Sequence, residues 1–441
     1  MDAVLNYNIP DNATDSIFDA QGVVEDAKES SVNMEDKSES EASSFDNGIK
    51  AWLQVFGAFF LWFNSWGIIN AYGAFQTFFE QQLLADTSPS TIAWVGSVQS
   101  ALLMLVSVVT GPLFDAGYFA MMIPAGTSLL VFGLMMSSIS TTYYQIILAQ
   151  GVCVGIGSGF LFMPAVALLP QYFKRRRSLA NGIAASGSSI GGVIYPIMFH
   201  KLQEEVGFPW ATRVMAFFVL ATCCLSIGSM RLRFRLQQTR TLFQMSAFKE
   251  PQYVLFCLAC FLGFLGSYNF LVYIQPFAIE TGVVNDSIGF YLLAVLNAAS
   301  TFGRVIPNFI ADYTGILNML IPSVISSTVL AYCWVAIRPM PGIVTLSALY
   351  GFFSGGFASL VPVGVVSISK DADSIGARLG MCFAIESIGL LIGTPIGVAI
   401  LSKTGSYLGL QLFCGSCLAL SALIFVIIRF LESGRKLVYK C

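Results

Sequence analysis

Twelve runs of about twenty mainly apolar residues make up most of this chain, at 52–75, 91–112, 118–138, 143–169, 178–199, 211–230, 252–276, 287–307, 314–337, 342–367, 375–401 and 406–430. An α-helix rises about 1.5 Å per residue, so each run suits a hydrocarbon layer about 30 Å thick. Only 11 % of the 441 residues are charged, against the roughly one quarter that a water-solvated surface requires. Lipid must therefore solvate most of the surface. The expected fold class is an all-α membrane protein with twelve transmembrane helices in a lipid bilayer.

The connections sort the runs into two sets of six. Most are short, whereas Arg231 to Pro251 joins the sixth run to the seventh and carries Arg231, Arg233, Arg235, Arg240 and Lys249. The expected organisation is an acidic tail over 1–50, a six-helix half over 51–230, a basic linker over 231–251, a second half over 252–430 and a C-terminal tail over 431–441. Residues 1–50 hold twelve Asp or Glu, three Lys and few large apolar side chains. Such a segment buries too little to offset its ordering entropy, so a disordered, solvated arm is expected. It lacks the basic-then-apolar order of a signal peptide.

Twelve crossings place both termini on one side. With that side cytoplasmic, the inner connections and C-terminal tail carry 15 Lys or Arg, and the outer connections carry four: Lys201, Arg213, Arg338 and Lys403. That satisfies the positive-inside rule. Lys174, Arg175, Arg176 and Arg177 form an unbroken run before the fifth apolar segment. A helix N-terminus disfavours cations. A compensating anion is expected there, either a lipid phosphate or a carboxylate such as Asp115.

Little in the chain suggests bond-making chemistry. Most of the ten cysteines fall inside apolar runs. Cys257 and Cys260, and Cys414 and Cys417, have CxxC spacing without a His or acidic neighbour, which points to small apolar filler rather than a metal or redox site. One histidine, His200, cannot build a cluster alone. No enzyme activity, cofactor, metal or nucleic-acid partner is expected.

The two sets of six share a hidden repeat. Gly117, Gly157, Pro164, Gly182 and Gly191 are followed, each 198 residues later, by Gly315, Gly355, Pro362, Gly380 and Gly389. Two six-helix halves of parallel topology are the form of the major facilitator fold, with the substrate near the midplane between halves that rock. Small residues crowd the fourth, fifth, tenth and eleventh runs, where they permit close helix packing. Pro164, Pro196, Pro362 and Pro395 add points of bending.

The stretch Tyr172-Phe173-Lys174-Arg175-Arg176-Arg177-Ser178-Leu179-Ala180-Asn181-Gly182 resembles the span-five signature of the monocarboxylate-transporter-like family of the major facilitator superfamily, in its fungal branch. NAYGAFQTFFE at 70–80, GPLFDAGYF at 111–119 and LNAASTFGRVIPNFIADYTGILN at 296–318 are similar to fungal members, and 46–52 is a degraded form of the signature before span one. The resemblance implies alternating-access transport. It also exposes departures: Gly73 stands where proton-coupled lactate carriers have a span-one lysine, and Ser300 stands where they have an aspartate one turn before Arg304.

Charges inside hydrocarbon cost at least a few kcal/mol, so each is a candidate functional group. Arg304 can clamp a carboxylate or enolate through two parallel hydrogen bonds, or pair with Asp312 as a gate. Glu386 can take up and release a proton once per cycle, or serve as the structural partner of a cation. Asn64, Asn70, Tyr72, Gln76, Tyr268, Asn269, Tyr273 and Asn297 form a weaker tier. Asp115, the cations 174–177 and Asp312 are candidates for a cytoplasmic gate. Phe160, Phe162, Phe264, Phe270, Phe352, Phe353 and Phe357 favour a partly aromatic organic acid.

The expected function is export of an organic anion or amphipathic small metabolite, a fungal secondary metabolite, by a monomer in the plasma membrane with both termini cytoplasmic and protons as possible co-substrates. The alternatives are proton-coupled uptake of monocarboxylates and a nutrient sensor built on a transporter scaffold.

Overall fold

The computed structural model describes residues 48–233, 244–369 and 375–433. The expected acidic arm, apart from its last residues, therefore lies outside the described residues, as do Arg235 and Arg240 of the linker, Lys370 and the tail from 434 onward. The chain divides into Met1–Ala51 and Trp52–Cys441. Within the first unit, Gly48 takes a φ of +111° and a helix begins at Ile49.

The second unit is a helical bundle. We number its helices α1 (Ile49–Leu83), α2 (Pro89–Asp115), α3 (Phe119–Ser137), α4 (Tyr143–Gln171), α5 and α6 (Arg177–Ser229, divided at Gly207), α7 (Pro251–Glu280), α8 (Asp286–Thr314), α9 (Ile316–Cys333), α10 (Met340–Ile368), α11 (Ile375–Thr404) and α12 (Tyr407–Glu432). Ten helices among the described residues are long and apolar enough to cross a membrane. One of those ten is double, because Gly207 adopts φ 78°, ψ 165° and breaks the helix between α5 and α6. α8, with 29 residues, also has the length of a span, and it carries a polar stripe. Asn297, Ser300, Arg304 and Asn308 recur at helical spacing along it and are all buried.

Backbone geometry explains the 198-residue repeat. Gly117 (φ +85°) and Gly315 (φ +102°) turn the chain from α2 into α3 and from α8 into α9, conformations a side chain would strain. Gly182 on α5 lies against the Arg304 carbonyl of α8, and Gly380 on α11 lies against the Ser107 carbonyl of α2. A Cβ at either position would overlap the facing backbone. Both close approaches join one half to the other.

Candidate transport cavity

At the end of the bundle that carries Lys174–Arg177, here called the basic end, each half caps a helix of the other. The Asp115 carboxylate, at the end of α2, accepts hydrogen bonds from the backbone N–H groups of Gly376 (3.2 Å) and Ala377 (2.9 Å) at the start of α11. Asp312, near the end of α8, accepts from Ser178 (2.9 Å) and Leu179 (3.0 Å) at the start of α5. In both places an anion meets unpaired N–H groups and the positive end of a helix dipole. Asp312 thus supplies an anion at the α5 terminus, and Asp115 one at the α11 terminus. Lys174, Arg175 and Arg176 are exposed beside it and Arg177 is half-buried.

Arg378 is a correction. It reads as a connection charge but is only 2 % exposed. Its guanidinium grips Glu250 through two bonds of 2.6 and 3.1 Å and Gln244 through one of 3.2 Å, tying the approach to α7 onto α11.

Above this seal, Asn181 of α5 donates to the Ser359 carbonyl of α10 at 2.7 Å, and Asn308 of α8 donates to the Ser359 hydroxyl at 2.6 Å. Next comes a central cavity of about 60 Å³, walled by Trp62, Trp66, Phe162, Phe264, Phe357 and Phe383 and by the polar groups of Asn70, Tyr268, Asn297, Ser300, Arg304 and Glu386. Arg304 does not reach for Asp312. Its Nε donates to Ser189 Oγ at 2.9 Å, and Ser189 in turn donates to Ser300 Oγ at 3.1 Å. The guanidinium carbon lies 5.8 Å from the Trp62 ring centre. Glu386 is fully buried and accepts from Cys382 Sγ at 3.3 Å.

Several buried polar atoms of the cavity residues make no hydrogen bond within the protein: Trp62 Nε1, Trp66 Nε1, Arg304 Nη1 and Glu386 Oε2. Buried polar groups are almost always satisfied in native proteins, so these three donors and one acceptor call for a partner from outside the chain.

A second space of about 270 Å³ lies toward the opposite end, and it shares Asn70, Tyr268 and Leu271 with the central cavity. Tyr72, Gly73, Gln76 and Tyr273 line it. Nothing lies within 4 Å of where a Gly73 Cβ would point. The Tyr72 hydroxyl donates to the Ile92 carbonyl at 2.6 Å and Tyr273 to the Thr394 carbonyl at 3.4 Å, so both also brace neighbouring helices.

Two candidates line neither cavity. Asn269 is buried, bonds back to the Leu265 carbonyl and packs against Gly393 and Gly397 of α11. Asn64 accepts from Tyr195 (2.6 Å) and donates to Thr222 (2.9 Å), joining α1, α5 and α6. Among the expected phenylalanines, Phe162, Phe264 and Phe357 face the cavity, whereas Phe270 stacks on Tyr350 at 3.7 Å. The residues that sequence reasoning missed are Trp62, Trp66, Phe383 and Ser189. Trp62 and Trp66 stand four apart in an apolar run, which puts them on one helix face, and that spacing was a usable signal.

The profile of the Major Facilitator Superfamily matches residues 52–342. The chain is 42 % identical over 372 residues to the MFS-type transporter dbaD of Emericella nidulans, covering 84 % of each protein. It is 36 % identical over 392 residues to the aspyridones efflux protein apdF of the same organism, covering 89 % of this chain and 80 % of that one. Among solved structures, the MFS transporter FucP superposes with a TM-score of 0.66 at 15 % identity, over 86 % of this chain and 98 % of that one, which shows a common fold. A multi-pass helical bundle, a repeat that relates its halves and a cavity between them agree with these matches: the chain belongs to the Major Facilitator Superfamily, whose members carry small organic substrates across membranes.

Proposed function

We propose that this protein exports an acidic, partly aromatic fungal metabolite by alternating access, as a monomer in the plasma membrane with its basic end and both termini in the cytoplasm. The observation that carries this is the donor set of the central cavity. Trp62 Nε1, Trp66 Nε1 and Arg304 Nη1 are buried without hydrogen-bond partners in a cavity lined by seven aromatic side chains. A carboxylate or enolate on an aromatic frame supplies the missing acceptors, and its apolar body suits the walls.

Export is the direction supported by the similarity to the aspyridones efflux protein. The geometry suits a release step: the basic end is sealed, and the cavity shares a wall with the larger space toward the opposite end. Glu386 gives the cycle a second occupant. In the empty chamber Arg304 and an ionised Glu386 balance each other, and an anion on Arg304 restores that balance only with a proton on Glu386, so anion and proton occupy the chamber together. Loss of the lysine and aspartate of lactate carriers, at Gly73 and Ser300, weighs against lactate-type uptake.

The test is a comparison of metabolites in cells and medium with the gene intact, deleted and replaced by Arg304→Ala. The expected result is an acidic aromatic compound that reaches the medium only with the intact protein. Accumulation of monocarboxylates inside the cells, driven by an inward proton gradient, would overturn the export reading.

A further inference from the structure

A second chemical cluster borders the cavity on the side of Glu386. Cys257 and Cys260 are three residues apart on α7, and Cys382 and Glu386 are four apart on α11, so each pair shares one face of its helix. Packing of α7 on α11 brings the ligand atoms of Cys260, Cys382 and Glu386 within 4.8 Å of one another, and all three residues are buried. Cys257 lies one turn before Cys260 on the same helix and is also buried. The outer oxygen of Glu386 has no partner within the protein. Small apolar filler accounts for a lone buried cysteine. It does not account for thiols from two helices converging on a buried carboxyl.

We propose that Cys260, Cys382 and Glu386 form a binding site for a thiophilic divalent cation of the zinc or cadmium type. Such ions take sulfur and carboxylate oxygen together in tetrahedral sets with metal–sulfur distances of about 2.3 Å, which places donors roughly 3.8 Å apart. Cys260 and Cys382 bind as thiolates and Glu386 as carboxylate, and the displaced protons leave through the cavity that Glu386 lines. Two thiolates and a carboxylate leave one net negative charge around a dication. The Arg304 guanidinium, in the wall of the same cavity, offsets it. Both helices belong to the second half, so the ion does not clamp the halves together. It occupies the carboxylate of Glu386, whichever way substrate moves.

The test uses the purified full-length protein in lipid nanodiscs, with cadmium chloride as probe. Bound metal is counted by mass spectrometry after equilibrium dialysis, and thiolate ligation is read from the ultraviolet thiolate-to-cadmium absorption. One ion per chain is expected, with the absorption band. Loss of an outer-shell partner alone costs about 10- to 100-fold in metal affinity, so Cys260→Ser and Cys382→Ser are each expected to lower cadmium affinity at least about tenfold. Glu386→Gln, which keeps both thiols, is expected to weaken affinity while retaining the band. The double variant Cys414→Ser/Cys417→Ser is expected to bind as wild type does. Each variant is scored only as a monodisperse species on size exclusion. The proposal is overturned by absence of stoichiometric cadmium in the wild type, by undiminished binding in Cys260→Ser and Cys382→Ser, or by loss of binding in the Cys414/Cys417 variant.

Discussion

The basic end and the central cavity are built on opposite principles. At the basic end the halves trade equivalent parts: Asp115 caps α11 while Asp312 caps α5, and Gly380 fits against α2 while Gly182 fits against α8. In the cavity the repeat is broken. Arg304 and Glu386 both come from the second half, and the positions 198 residues earlier hold Val106 and Ser188. Trp62 of the first half corresponds to Cys260 in the second. Duplicated parts make the seal, which must open and close symmetrically. Diverged parts make the chamber, which must recognise one asymmetric cargo.

The largest expected effect lies in the asymmetric region. Arg304→Ala removes a charged donor that nothing else in the cavity replaces, and efflux is expected to fall about 100-fold, equivalent to roughly 3 kcal/mol, with surface expression unchanged. Arg304→Lys keeps the charge without the planar fork and is expected to recover only part of the activity. Vesicle efflux assays measure both, and wild-type flux in Arg304→Ala would remove this residue from the substrate site.

The symmetric region is tested by paired variants. Gly182→Val and Gly380→Val each press a side chain into the facing backbone, an overpacking worth about 1–3 kcal/mol against the sealed state. Both are expected to slow transport to a similar extent and to raise thiol labelling of an Asn181→Cys reporter from the basic side. An effect at one glycine and none at the other would break the symmetry claim. Asp115→Asn and Asp312→Asn keep a weaker cap and lose the charge. Each is expected to cost about 1 kcal/mol, roughly fivefold in the open-to-sealed equilibrium, read by the same labelling.

The smallest expected effect separates the cavity's donors from its aromatic faces. Trp62→Phe keeps a ring and removes the Nε1–H, so transport of the acidic substrate is expected to weaken by about 1 kcal/mol, several-fold in apparent affinity. A neutral analogue of the same frame should be unaffected. Equal losses for acid and analogue would show that Trp62 contributes shape alone.

Much of the architecture was legible in the chain. Run length and the shortage of charge dictate helices in lipid, since few other forms solvate such a sequence. Gly117 and Gly315 announce matching turns because only glycine takes those φ values without strain. The stripe Asn297, Ser300, Arg304 and Asn308 repeats at helical spacing, so one face of α8 is visibly polar, and Asn308 belonged with its neighbours from the start. Periodicity, however, gives the face of a helix and not what that face meets. That Asp312 serves α5 and Asp115 serves α11, that Arg304 turns to Ser189, and that Asn269 faces away from the cavity were decided by contacts between helices more than a hundred residues apart, except the last, which depends on the rotation of α7 against α11. Cys260 and Glu386 show the same limit most plainly. They lie 126 residues apart in the chain, and only the packing of α7 on α11 makes them neighbours, because side-chain chemistry between helices depends on distances through space that no local spacing encodes.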